Sequence, residues 1–196
     1  MTSIIFGDYI TLMLVNMAAG LFVLAAFFNW GINSPSQRNW CPGLAITGLV
    51  AFIMGLHMTI AWPIPGNYSF ANVVFGEMSV LFGAAMIGAS LALAFKWLLH
   101  SVAIYGFVIS LAAIVVGIRL SVLGLTQAPQ LSMAGFVLTG LVGVFALPVV
   151  GNPQNPILRR FVALVSAAAG LIWLFNGLMG YWAHVAGAAS GNFIKW

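Results

Sequence analysis

The sequence predicts an all-α fold: an integral membrane bundle of six transmembrane helices with short loops and both termini outside. Composition is the first reason. Of 196 residues 63% are hydrophobic and 4% charged, and the mean hydropathy is +1.12. Soluble domains carry roughly 25% charged residues, so a soluble globular domain is excluded. The second reason is pattern. In hydrocarbon every backbone group must be satisfied inside a helix or a closed barrel. Barrel strands alternate apolar and polar side chains, whereas the apolar residues here run unbroken for about 20 positions, the length a spanning helix needs.

The elements follow in order, within a single transmembrane domain over residues 1–196. Helices are predicted near 9–30, 44–62, 73–95, 101–125, 131–150 and 159–186. The first run is of full length and no positively charged region precedes it, so a retained helix is expected rather than a cleaved signal peptide. Asn33-Ser34-Pro35-Ser36-Gln37 closes it. Trp62-Pro63-Ile64-Pro65-Gly66-Asn67 ends the second helix, and Thr126-Gln127-Ala128-Pro129 follows the fourth. Gly151-Asn152-Pro153-Gln154-Asn155-Pro156 follows the fifth. Each proline denies the helix a donor and restrains the residue before it. Connections this short make consecutive helices antiparallel neighbours.

Orientation follows from the cations. The loops after helices one, three and five hold Arg38, Lys96, Arg159 and Arg160, and the opposite side holds Lys195. Positively charged loops stay cytoplasmic, so both termini should face outward. Tags at either terminus are expected to be accessible in intact cells and a tag near Arg159 protected. An accessible tag within 151–158 would overturn this orientation. Trp40, Trp62, Trp97, Trp182 and Trp196 lie close to predicted helix ends, where tryptophans anchor to the interface. A net charge of +4 without a dense basic cluster gives no reason to expect nucleic acid as a partner. The single cysteine, Cys41, excludes an intramolecular disulfide.

Small residues recur at four-residue spacing, as in Ala84, Gly88 and Ala92, Ala113 and Gly117, Thr139 and Gly143, or Ser166 and Gly170. Such spacing lets helix backbones approach closely. The proline-bearing exits of helices two and five also hint at a three-plus-three inverted repeat, as in some transporters.

The chain has two acidic residues, Asp8 and Glu77. Glu77 lies inside a span, where an acidic charge costs roughly 2.5–3.5 kcal/mol near a helix centre. Arg119, on the next helix, is the nearest candidate cation. Both fall roughly 6–10 Å below the outer interface at 1.5 Å per residue. An intramembrane polar pair is therefore expected, with the side chains within hydrogen-bond reach directly or through one water. It can fix two helices in register, or it can line a polar cavity open to the outside. Asp8, His57 and His184 fall in the same outer layer, whereas His100 belongs to the inner interface. Met54 and Met58 flank His57. Thioether and imidazole suit Cu(I), and His57 with His184 can serve as axial haem ligands, so these residues are the candidate metal and cofactor ligands. Each also has a plainer role, methionine as a core filler and histidine as a cross-helix hydrogen-bonding group. Asn16 and Asn176, nearer mid-membrane, are expected to bond between helices. No phosphate loop, nucleophile elbow or zinc-protease pair occurs, and no catalytic residue is assigned.

The stretch Trp62-Pro63-Ile64-Pro65-Gly66, Tyr68, then Asn72-Val73-Val74-Phe75-Gly76-Glu77, followed by Leu81-Phe82-Gly83, resembles domain-of-unknown-function family 981 of archaeal and bacterial multi-pass membrane proteins. Gly124-Leu125-Thr126 followed by Pro129 is similar to a later signature of that family. Ile64 stands where members have Leu, and Ser69-Phe70-Ala71 separates Tyr68 from Asn72 where they join Tyr to Asn. The resemblance covers helices one to five and implies that Glu77 belongs to a family motif, without implying an activity.

Three readings of function fit. The first is a non-catalytic subunit or scaffold of a larger complex in the cell membrane, whose partners are the lipid bilayer and other membrane subunits or copies of itself. The second is a small transporter or channel with an outer-facing polar cavity around Glu77. The third is a haem, quinone or copper redox module using His57.

Overall fold

The computed structural model describes residues 9–189, with side chains over 10–186. Six α-helices follow one another: α1 (Tyr9–Ala26), α2 (Cys41–Ala61), α3 (Met78–Ala94), α4 (His100–Leu123), α5 (Pro129–Gly151) and α6 (Pro156–Ala189). Among the described residues there is no strand. A π-turn, Phe27–Gly31, prolongs α1, and a 3-10 turn, Gln37–Trp40, leads into α2. Another 3-10 turn, Gly66–Tyr68, and a second π-turn, Asn72–Glu77, lead into α3. With these turns included, the six helical segments run from 22 to 31 residues and are long and apolar enough to cross a membrane. The protein is a six-helix membrane bundle.

All six helices lie where the apolar runs predicted them, but three begin two or three residues earlier. α2, α5 and α6 start at Cys41, Pro129 and Pro156 rather than at 44, 131 and 159. The reason is proline. Pro129 and Pro156 were read as ends of loops, yet each opens a helix, as Pro42 does for α2, where a missing N–H is no loss. Asn155 caps α6, its Oδ1 accepting from the backbone N–H of Ile157 at 3.1 Å and of Leu158 at 3.2 Å. Pro148 lies within α5, which continues to Gly151.

Each helix packs against its neighbours in sequence, and α1 packs against α6, so the six close into a ring. Within it α1–α6, α2–α3 and α4–α5 form close pairs, while α3 and α4 make the slightest of the neighbour contacts. The closest pair is α2–α3 in the first half and α4–α5 in the second, an arrangement that a three-plus-three repeat would not produce.

Glycines decide which pairs are close. A Cβ on Gly83 would lie 2.5 Å from the backbone nitrogen of Phe52 and 2.7 Å from the carbonyl of Gly48. A Cβ on Gly55 would lie 2.7 Å from both the Gly76 carbonyl and the Val80 nitrogen. The α2–α3 seam is thus built on Gly48, Gly55, Gly76 and Gly83, spaced by seven on each helix. Four-residue small-residue spacing marks other seams: Gly117 and Gly143 meet α5 and α4 respectively, and Gly170 meets Phe22 of α1. Gly88, by contrast, is only in ordinary contact with Val102.

Polar side chains stitch the ring. Asn16 donates to the Thr47 carbonyl at 2.9 Å, joining α1 to α2 as expected. Asn176 instead donates to Ile172 within its own helix. Ser166 joins α6 to the Leu21 carbonyl of α1 at 2.8 Å. Cys41 and Ser90 exchange bonds with each other's carbonyls across α2 and α3, at 3.3 and 3.0 Å. Asn33, after α1, donates to the Pro153 carbonyl after α5 at 2.7 Å, so those two loops share one end of the bundle. That end, which also carries Lys96 and Arg159, is called the Arg159 end below, and the opposite one the Glu77 end.

Candidate functional site

The most elaborate local structure joins α2 to α3 at the Glu77 end. α2 stops at Trp62, whose φ of 48° is left-handed and cannot continue a helix. Pro63 and Pro65 then hold the chain extended, and Gly66, at φ 66°, turns it back. Asn72 fixes this loop. Fully buried, it donates to the carbonyls of Ile64 at 2.7 Å and Ser69 at 3.1 Å, and its Oδ1 accepts from the Ile64 N–H at 3.2 Å. All three bonds serve backbone groups that a membrane-edge loop would otherwise leave unpaired. Asn72 stood in the motif without an assigned role, and its position just before a helix was the available signal.

Asn72 also opens the π-turn that Glu77 closes. Such turns widen a helix by one residue and are frequent at functional sites. Glu77 emerges half-buried. Arg119 is exposed on α4, on the face shared with Val115 and Val122, which are 65% and 69% exposed. No hydrogen bond or ion pair joins Glu77 to Arg119. α3 and α4 barely touch, and Arg119 is turned outward.

The proposed metal ligands do not converge either. Met58 is fully buried in a small core with Met13 and Ala71, against which Met54 packs. His57, one residue earlier, is exposed. Met54 and Met58 therefore act as packing residues, and His57 points away from them. His184 is half-buried, and both histidines have interaction partners. Among the described residues no group of three or more His, Cys, Asp or Glu side chains is placed to hold a metal ion. Asp8 lies outside the described residues. Among the interfacial tryptophans, Trp62, Trp97 and Trp182 are 47%, 65% and 79% exposed at helix ends. Trp40 packs edge-on against Phe27, with ring centroids 6.0 Å apart. Trp196 lies outside the described residues.

The ring encloses a space that no single stretch of sequence foreshadowed. A cavity of about 150 Å³ lies at its centre, lined from all six helices by residues such as Leu21, Leu44, Met86, Ala113, Val142 and Trp173. Its wall is largely apolar, with polar side-chain atoms from Trp173, Thr139 and Ser110. Trp173 donates its indole N–H to Thr139 Oγ1 at 2.9 Å, and Thr139 donates to the Gly135 carbonyl at 2.7 Å. Ser110 lines the cavity with a side chain 6% exposed, and its hydroxyl makes no hydrogen bond among the described residues. Neither Glu77 nor either histidine lines it. The cavity adjoins a cleft between α3 and α4, where Ala84, Ala85 and Gly88 face Ser101, Val102 and Tyr105. Ala85 and Val102 belong to both.

Comparison with known proteins adds one finding. A family model described as "Protein of unknown function (DUF981)" matches residues 1–187. No curated protein and no solved structure matches the chain.

Proposed function

We propose, on the premise that this chain belongs to the DUF981 family of proteins of unknown function, that it is a non-catalytic subunit or scaffold of a larger assembly in the cell membrane. The observation that carries this reading is Arg119. It is an exposed cation on a spanning helix, without an ion-pair partner among the described residues, set among exposed apolar side chains of α4. A charge so placed within a span is costly unless something outside the ring meets it. α4 is also the span with the smallest buried share, 22%, so it has the most surface to offer a neighbouring helix. A transporter with a polar cavity around Glu77 draws no support, because the central space is apolar and Glu77 does not line it. A redox module on His57 draws none from the outward position of that residue.

A photo-crosslinker placed at Val115 or Val122 in the native host tests this. Crosslinks to another membrane protein, or to a second copy, are expected, and Arg119→Leu should weaken that association about tenfold, equivalent to about 1.4 kcal/mol. Crosslinks to lipid alone, with a monodisperse monomer after mild-detergent purification, would refute the reading.

A further inference from the structure

We infer that the central cavity is a binding site for a neutral lipophile of the prenylated quinone class, its ring held at Ser110 and its chain leaving between α3 and α4. Several independent features of the ring lead to this class. A cavity of about 150 Å³ with an apolar wall is of the size and kind that stays dry and accepts a single six-membered ring. Aromatic side chains border it: Phe27, Phe28, Phe82, Phe136 and Trp173. Phe136 and Trp173 meet edge to face with centroids 5.0 Å apart, which gives this part of the wall a fixed shape. No charged side chain lines the cavity, so a charged head would have no partner there.

Ser110 selects the head chemistry. Its hydroxyl lies against Gly143, where any side chain would collide with it, and it makes no hydrogen bond among the described residues. A hydroxyl in a largely apolar wall can donate to a carbonyl oxygen on a ligand ring. The cleft selects the tail. It is walled by Ala84, Ala85 and Gly88, and a Cβ on Gly88 would still stand 3.5 Å from Val102. A slender chain can pass where α3 and α4 touch least, directly into bilayer hydrocarbon. Gly106 completes the arrangement. It lines the cavity, and a Cβ there would meet nothing within 4 Å.

The test uses the full chain purified in nanodiscs and a short-chain quinone, decylubiquinone. Binding is read by quenching of tryptophan fluorescence and by the rise in thermal midpoint. The wild type should show both. Gly106→Leu should fold normally, because its side chain enters open space, and should abolish both effects by filling the cavity. Ser110→Ala should weaken binding about tenfold. Wild-type signals no larger than those of Gly106→Leu would overturn the site. A plain alkane binding as well as the quinone, with Ser110→Ala unchanged, would overturn the assignment of the head group.

Discussion

Gly83→Leu is expected to force α2 and α3 apart and to cause the larger loss of stability of two changes in this pair of helices and their connection. A Cβ at Gly83 already falls 2.5 Å from the Phe52 nitrogen and 2.8 Å from its Cα, and both are backbone atoms that no rotamer change can move aside. The seam is reciprocal, since a Cβ on Gly48 would lie 2.9 Å from the Ile87 nitrogen and 3.0 Å from the Gly83 carbonyl. Overpacking of this kind costs about 1–3 kcal/mol for small additions and occasionally more. Gly83→Ala should fall in that range and Gly83→Leu beyond it, measured as the unfolding midpoint in mild detergent. Gly106→Ala is the control: with open space around its Cβ and alanine's better helix propensity, it should leave stability unchanged or raise it by up to about 1 kcal/mol. Equal midpoints for Gly83→Ala and Gly106→Ala would show that the α2–α3 approach is looser than described.

Asn72→Leu is expected to release the loop between α2 and α3. It removes three hydrogen bonds at once and leaves the Ile64 N–H, the Ile64 carbonyl and the Ser69 carbonyl without that partner. A buried polar group left unpaired costs about 1–3 kcal/mol. Ile64 and Ser69 are only half-buried, so water at the membrane edge can recover part of this. A net loss of about 2–3 kcal/mol is therefore expected, together with faster proteolysis within residues 63–71. Asn72→Asp keeps the acceptor and loses both donated bonds, so it should fall between wild type and Asn72→Leu. A loop as protease-resistant in Asn72→Leu as in wild type would show that Pro63, Pro65 and the 3-10 turn hold it without the amide.

The same residues show how far sequence reasoning reached. The motif from Trp62 to Glu77 was legible as a motif, and its proline and glycine positions as a turn. That Asn72 clamps the turn was not legible, because the carbonyls it binds come from a folded-back loop. The π-turn carrying Glu77 was equally hidden, since Val73, Val74 and Phe75 within it have the same apolar character as the α-helix they precede. The seam glycines were only partly visible: a spacing of four was sought, whereas α2 and α3 meet on a spacing of seven.

By itself the sequence determined that this protein is a membrane bundle, how many helices it has and where each lies along the chain. These are properties of length and local hydropathy, additive along the chain, and they need no knowledge of neighbours. Tertiary structure alone decided which way each side chain faces. Depth follows from counting residues from a helix end, but azimuth follows from how a helix is rotated against its neighbours, and packing sets that rotation. Glu77 and Arg119, placed at one level by residue counting, therefore form no pair, and His57 and Met58, adjacent in sequence, face solvent-accessible surface and core respectively. The central cavity is the extreme case: its wall draws on all six helices, so it exists only once the ring has closed.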